Sequence, residues 1–229
     1  APAPGSAEPR PGALFRIVQC LEGSVTMRSR CIPRPGNGTL LPTFQLEGHR
    51  AHFGGFRCTA PGPWVEAAQG HALEHEVALS AGERCAYSLS GPGMETAEDA
   101  FTALDGTLEY WHRWSARCTY IGPYRQAVVR SVLALKLLHD QDTGAIVAAP
   151  TTSLPEEIGG VRNWDYRFCW IRDASFTLNA LMQAGYLDED AALFKWLFRT
   201  VKVEGPELHV LYPISSQGSV EEIELGHLE

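Results

Sequence analysis

Residues 159–173, GGVRNWDYRFCWIRD, decide the fold and the chemistry expected of this chain, and they border a predicted helix. Three aromatic side chains lie in this stretch: Trp164, Tyr166 and Trp170. Their flat apolar faces suit the C–H side of a pyranose, while Arg172 and Asp173 can donate to and accept from neighbouring ring hydroxyls. The pattern therefore predicts a sugar-binding site.

The competing interpretation makes the aromatic side chains core residues and Asp173 a cap of the following helix. The sugar-binding interpretation requires these side chains to be exposed to solvent, whereas the core interpretation requires them to be buried.

Three ordered motifs between residues 123 and 173 resemble glycoside hydrolase family 15. They read PYRQAVVRSVLALKLL at 123–138, TGAIVAAPTTSLPEE at 143–157 and NWDYRFCWIRD at 163–173. The family contains glucoamylases and trehalases, and the chain is most similar to its bacterial glucoamylase-like and trehalase-like branch. The similarity is weak from about Leu14 and strong from about Trp111 to Leu211. Phe168 and Ile171 stand where Tyr and Leu are expected, and we expect both changes to be tolerated.

The resemblance implies an inverting hydrolase of α-glucosidic bonds, with one glutamate as general acid and another as general base. In family members both glutamates lie beyond the equivalent of Glu229. We therefore expect an amino-terminal fragment that holds no catalytic residue and is inactive alone. Residues matching Trp170, Arg172 and Asp173 line the family's subsite for the terminal, non-reducing glucose. The expected partner is an α-glucoside or oligosaccharide, with trehalose, maltooligosaccharides and other glycosides all open. No particular oligomeric state is predicted.

Two alternatives belong to other classes. A protein that ends at Glu229 would be a non-catalytic carbohydrate-binding or interaction module, whose exposed helix faces need a partner. A decayed homologue is the second alternative, because residues 211–218, LYPISSQG, depart from the family's Tyr-Gly-Val/Ile-Asp-Gly. Ser215 or Ser216 then stands where the family has an aspartate. A reading frame with two suitably placed glutamates beyond residue 229 would distinguish the hydrolase from both.

Period-two alternation predicts an antiparallel β-sandwich over residues 14–94. One face of a predicted strand carries Leu73, His75, Val77 and Leu79. Glycine, proline and asparagine turn signals divide the region at residues 36–38, 54–55, 61–63 and 81–82. The resemblance to glycoside hydrolase family 15 implies the same, because its bacterial members carry such a sandwich ahead of their catalytic domain.

From residue 95 onward the period becomes helical. A linker helix is predicted over residues 95–120, with an acidic start that suits the positive end of its dipole. Its predicted apolar face carries Ala100, Leu104, Leu108, Trp111 and Trp114. A second helix starts at Pro123 and ends near residues 142–144. Its predicted apolar face carries Tyr124, Val128, Val132, Leu135 and Leu138.

Two more helices are predicted, over about residues 173–185 and about residues 188–203, with Asp188 as the N-cap of the later one. Successive helices predict helical hairpins, which in family 15 open an (α/α)6 toroid. The expected class is α+β multi-domain, an antiparallel β-sandwich followed by the first helices of an incomplete toroid. The predicted domains are a leader at 1–13, the sandwich at 14–94, the linker helix at 95–120 and the truncated toroid at 121–229.

The connection between the second and third helices, residues 143–171, is long for a compact domain, which is typical of functional loops. Its apolar start, residues 145–149, predicts an extended segment that packs and fixes the rest. Residues 151–153 offer hydroxyl groups along it. Glu156 and Glu157 are adjacent, and we expect them to be solvated rather than catalytic.

Neither a metal nor a cofactor is expected. His71, Glu74 and His75 match the zinc motif H-x-x-E-H. On a strand the two histidines would lie about 13 Å apart, too far to share an ion at about 2 Å from each nitrogen. They are therefore expected to be surface histidines. The six cysteines are scattered without a C-x-x-C pair, which predicts reduced, buried thiols and a packing role for Cys169.

Composition excludes several classes of protein. The net charge of −8 disfavours a nucleic-acid surface. No apolar run approaches the roughly 20 residues that cross a bilayer. Residues 1–12 contain four prolines and no apolar core of a signal peptide, so a disordered leader and a cytoplasmic location are expected.

Overall fold

The computed structural model describes residues 12–91, 99–151, 156–204, 209–215 and 220. These residues fall into two compact units that divide after Leu108. The described elements are antiparallel strands and α-helices, which confirms the α+β class. Within the described ranges, no helix is long and apolar enough to span a bilayer.

The first unit contains two antiparallel sheets. Its strands are β1 (Ala13–Gln19), β2 (Ser24–Cys31), β3 (Gln45–Glu47), β4 (Arg50–Phe53), β5 (Phe56–Thr59), β6 (Val65–Ala67), β7 (Ala72–Ser80) and β8 (Arg84–Ser90). One sheet has the order β1-β8-β5-β4-β3 and the other the order β2-β7-β6. Hydrophobic side chains from both sheets meet in one core, which is the packing of a β-sandwich.

Alternation along β7 fixes which face of the smaller sheet is buried. Leu73 and Leu79 are buried, whereas Glu76 on the other face is exposed. Val25 of β2 lies opposite Leu79 in the antiparallel register. Because side chains alternate along a strand, the period-two pattern alone places these leucines in the core, as predicted.

His75 does not lie on the surface, so the expectation of two surface histidines is wrong for this residue. It shares the inward face of β7 with Leu73 and is buried, with its Nδ1 3.1 Å from the hydroxyl oxygen of Tyr87. Burial lowers the pKa of His75, which favours the neutral ring. His71 lies in the turn before β7. Among the described residues, no three His, Cys, Asp or Glu side chains cluster as metal ligands.

Four helices and two short strands follow in the described part of the chain. They are α1 (Ala100–Ala116), α2 (Arg125–Leu137), β9 (Cys169–Trp170), α3 (Ile171–Gln183), α4 (Asp188–Glu204) and β10 (Leu211–Tyr212). The Asp99 carboxylate accepts hydrogen bonds from the backbone N–H groups of Phe101 and Thr102, so this residue caps α1. Of the predicted acidic start of α1, residues 95–98 lie outside the described residues.

The end of α2 and parts of two predicted apolar faces differ from expectation. The helix ends at Leu137, before residues 142–144, because the backbone leaves the helix to pair with an extended segment at His139. Tyr124 is exposed rather than packed, since it lies at the start of α2 as its N-cap residue. Leu104 and Leu108 on α1 are also exposed.

Two hydrophobic clusters organise the second unit. One contains Trp114, Cys118, Val132, Leu181, Ala184 and Tyr186. The other contains Ala145, Ile146, Cys169, Ala174, Leu178, Leu193, Trp196 and Tyr212. The second cluster joins α3 and α4 to the segment that carries the candidate site. Closure into a toroid and the predicted domain bounds stay predictions.

Candidate functional site

Residues 145–149 form the extended segment on which the candidate site rests. Ala145 and Ile146 are fully buried. The N–H groups of Ala148 and Ala149 donate to the carbonyl oxygens of Phe168 and Tyr166 at 3.1 and 2.9 Å. The apolar start of the long connection therefore packs and holds the residues that follow, as its sequence predicted.

A two-stranded ribbon holds the other end of the site. Strand β9 pairs antiparallel with β10, and the N–H of Ile171 donates to the carbonyl of Val210 at 3.1 Å. Trp170 has extended backbone angles and is the N-cap residue of α3. Arg172 and Asp173 consequently occupy the first turn of a helix that begins from a fixed strand.

Residues 164–173, the aromatic turn, bring Tyr166 and Trp170 together. Their ring centroids lie 5.6 Å apart with planes inclined at 47°. The indole Nε1 of Trp170 donates to the carbonyl oxygen of Asp165 at 3.2 Å, which fixes the orientation of that ring. Both rings are half-buried and neither belongs to the buried clusters, so each keeps surface open to solvent.

Arg172 and Asp173 extend this aromatic surface with charge. The guanidinium Nη2 of Arg172 lies 3.2 Å from Asp173 Oδ2, and the two side chains are 65% and 35% exposed. The Cζ atom of Arg172 is 5.9 Å from the centroid of the Trp170 ring. Because Arg carries five N–H donors and a carboxylate accepts several bonds, the pair retains hydrogen-bonding capacity toward a ligand.

The structure brings four of the five predicted site residues into one chain of contacts: Tyr166, Trp170, Arg172 and Asp173. Trp164 precedes this group and is 41% exposed. The interpretation of the aromatic residues as core therefore fails. Asp173 does not occupy the cap position, which belongs to Trp170. Its place in the first turn still suits the positive end of the helix dipole.

Asp165 and Arg167 brace the aromatic turn, a role that the sequence analysis missed. Arg167 donates from Nε and Nη2 to the Asp165 carboxylate, with a shortest distance of 2.7 Å, and its backbone N–H donates to Oδ1 at 2.9 Å. Hydrogen bonding by Arg167 lowers the pKa of Asp165. An acidic residue two positions before its own donor is the sequence signal of such a turn.

Cys169 packs beneath the site, as predicted. It is fully buried, and burial raises the pKa of its thiol to about 11. A neutral, buried thiol is a poor nucleophile, because the thiolate is the reactive form.

The described polar side chains at positions 151, 156 and 157 of the connection are exposed to solvent. Glu156 and Glu157 are exposed, and the nearest described cation to Glu156 is Arg162, with an N–O distance of 3.9 Å. Thr151 is exposed, whereas Thr152 and Ser153 lie outside the described residues. The expectation that the adjacent glutamates are solvated is confirmed.

A buried charged cluster in the same unit was not foreseen. Lys136 Nζ lies 3.1 Å from Glu189 Oε1, and the two side chains are 7% and 3% exposed. Trp114 Nε1 donates to the same oxygen at 2.9 Å. The expected N-cap Asp188 instead directs its carboxylate to Arg117, at 2.8 Å. Spacing within one helix cannot reveal a cation that α2 supplies to α4.

Comparison with known proteins places this site in a family. Residues 122–228 match the model for glycosyl hydrolases family 15, and this segment of the chain belongs to that family. The curated proteins that the chain resembles include several trehalases. It is 32% identical to the trehalase of Mycolicibacterium smegmatis over 94% of its own length, which is 35% of the relative. Over 54% of its length it is 42% identical to the trehalase of Thermoplasma volcanium, of which it covers 20%.

The chain is also 31% identical to the trehalase of Mycobacterium tuberculosis, over 94% of this chain and 34% of the relative. The chain thus spans about a third or less of the length of these relatives. No solved structure matches it significantly.

Proposed function

We propose that the protein to which this chain belongs hydrolyses an α-glucosidic bond and that its substrate is trehalose. Support comes from the family match and from relatives that are named trehalases. The observation that carries the proposal is the aromatic turn. Its half-buried rings and its Arg-Asp pair lie on a backbone that β9, β10 and the extended segment hold in place.

Each side chain has a role in holding the terminal glucose. Trp170, tilted against Tyr166, presents an apolar face to the C–H side of the ring. Arg172 donates to a hydroxyl oxygen, and Asp173 accepts from a hydroxyl at the outer edge of the sugar. Trp164, being exposed, extends the apolar surface toward the rest of the substrate.

Catalysis in this proposal combines this fixed subsite with two carboxyl groups. Inverting glycosidases hold the two groups about 6.5 to 9.5 Å apart, which leaves room for the attacking water. Family resemblance implies glutamates beyond the equivalent of Glu229 for both roles. The contribution of the aromatic turn is positional, because a clamped glucose keeps the scissile bond in register with acid and water. We also propose that α2, α3 and α4 are the first helices of an (α/α)6 toroid.

Substitution of Asp173 tests the proposal in the complete protein that the gene encodes. Asp173→Ala removes the acceptor, and losing hydrogen bonds to a charged group lowers kcat/KM for trehalose by about 100-fold or more. Asp188→Ala is the matched control, since it removes another exposed, Arg-paired carboxylate from the start of a helix. The control is expected to retain kcat/KM within about twofold.

Thermal unfolding of both variants separates a loss of binding from a loss of folding. Equal kcat/KM for Asp173→Ala and the unsubstituted protein, on trehalose and on maltooligosaccharides, would refute the site. Binding of trehalose by the complete protein without any hydrolysis would instead support a non-catalytic carbohydrate-binding module.

A further inference from the structure

Two cysteines meet across the core of the β-sandwich. Cys31 is the last residue of β2 in the smaller sheet, and Cys58 lies in β5 of the larger sheet. Their sulfur atoms are 3.8 Å apart although the residues are separated by 27 positions in sequence. Both thiols are free in the structure. This contact therefore joins the two sheets through a pair of reduced sulfur atoms.

The two thiols differ in accessibility and in acidity. Cys31 is half-buried, whereas Cys58 is buried. The hydrogen bond from the Cys58 thiol lowers the pKa of Cys31 to about 7, against the opposing effect of burial. The same hydrogen bond, together with burial, raises the pKa of Cys58. Cys31 is therefore the thiol that attacks an oxidant. Cys58 lies next to it and can attack the mixed disulfide that results.

We propose that Cys31 and Cys58 are a redox modification site, at which a low-molecular-weight disulfide of the glutathione class converts the two thiols into a disulfide between the sheets. The inference is independent of the proposed hydrolase activity. It concerns the first unit only, which contains none of the aromatic turn.

The reaction proceeds by two thiol–disulfide exchanges. The Cys31 thiolate attacks one sulfur of the glutathione disulfide, which forms a mixed disulfide and releases one glutathione thiolate. Cys58 then loses its proton and attacks the Cys31 sulfur, which breaks the mixed disulfide and releases the second glutathione thiolate. The two protons from the protein thiols pass to the two glutathiones. The protein pair is oxidised by two electrons, and the glutathione disulfide is reduced by two.

The local structure allows the sulfur atoms to close this distance. A disulfide requires about 2.05 Å between them, so they must approach by less than about 2 Å. Cys31 ends its strand, where Ile32 and Pro33 continue outside the sheet, and a strand end shifts more easily than the middle of a ladder. Cys58 is held in place on β5, which lies between β8 and β4.

Incubation of the purified chain with oxidised glutathione tests the inference. Proteolytic mapping without reduction is expected to show a Cys31–Cys58 cross-linked peptide, and the intact mass falls by two hydrogen atoms. Because the cross-link restricts the unfolded chain, the melting temperature rises by about 5 °C or more, and dithiothreitol reverses both changes. Cys85→Ser is the matched control, because it removes a buried thiol of the same core and leaves both partners. This variant is expected to form the same cross-link.

The unsubstituted protein supplies the decisive measurement, so a folding defect in a variant does not obscure the result. Cys31→Ser is expected to abolish the cross-link and the rise in melting temperature. Six reduced thiols after incubation, a stable glutathione adduct at Cys31 without a cross-link, or a cross-link between any other two cysteines would each overturn the inference.

Discussion

Lys136 and Glu189 show how one buried ion pair can tie three helices together. Burial alone would raise the pKa of Glu189, but the hydrogen bond from Trp114 and the charge of Lys136 outweigh it and leave that pKa below its ordinary value. Burial and the charge of Lys136 lower the pKa of neighbouring His139 to about 4, so its neutral ring accepts from the ammonium group at 3.3 Å. Each charge is therefore compensated only while its partner is present.

Loss of one partner should be costly for stability. Lys136→Met leaves the Glu189 carboxylate buried without a cation, and we expect the free energy of unfolding to fall by about 3 to 5 kcal/mol. Lys195→Met is the matched control, because it makes the same change at an exposed position of α4. Its effect should stay within about 0.5 kcal/mol. Urea unfolding at pH 7 measures both, and equal effects would show that the buried pair contributes nothing.

At the level of secondary structure, Gly144 controls the passage from α2 to the extended segment. Its backbone has a φ of +88°, and its N–H donates to the carbonyl of Asp140 at 2.9 Å. A Cβ atom at this position would lie 2.6 Å from the carbonyl oxygen of Ala192 in α4. Both the backbone angle and the close approach of two backbones therefore require glycine here.

Alanine substitution at two glycines separates these requirements. Gly144→Ala adds a backbone clash to the strain of positive φ, and it should lower the free energy of unfolding by about 3 kcal/mol or more. Gly159→Ala is the control, since Gly159 has a φ of +77° but open space around its missing Cβ. There we expect a loss of about 1 to 2 kcal/mol from strain alone. Equal losses in denaturant titrations would contradict the close packing of Gly144 against α4.

The sequence predicted elements well where local pattern controls them. The alternation on β7 and the helical spacing over α3 and α4 depend on residues near one another in the chain. The end of α2 was placed too late because Leu138 continues the apolar spacing of the helix, although its carbonyl accepts from the N–H of Val147 at 3.0 Å. His75 was wrongly expected at the surface, and the burial of Glu189 was not foreseen, for a related reason. Their burial depends on Tyr87 and Lys136, partners that spacing along the chain does not reveal.

At the scale of the whole molecule, the candidate site was predictable because its five residues lie within ten positions of one another. Their chemical types indicated a sugar, and the structure shows four of them in one chain of contacts. The bracing pair Asp165 and Arg167 was missed, because the two-residue spacing signals a local turn but does not indicate which site the turn supports. Residues 145–149 were correctly expected to support the site, since an apolar run in a long connection has to be buried.

The stereochemistry of hydrolysis tests the proposed reaction of the complete protein. Inversion at one anomeric carbon of α,α-trehalose releases β-glucose from the attacked ring and α-glucose from the leaving ring. Proton NMR in the first minutes, before mutarotation, should therefore show equal amounts of the two anomers. Release of α-glucose alone would indicate retention and would contradict the proposed acid–base mechanism.

A crystal structure of the complete protein with a non-hydrolysable trehalose analogue would show whether the aromatic turn binds the terminal glucose. We expect a glucose ring within about 4 Å of the Trp170 face, with hydroxyl oxygens about 3 Å from the Asp173 carboxylate and the Arg172 guanidinium. A sugar bound elsewhere, with the aromatic turn facing only solvent or protein, would contradict this expectation.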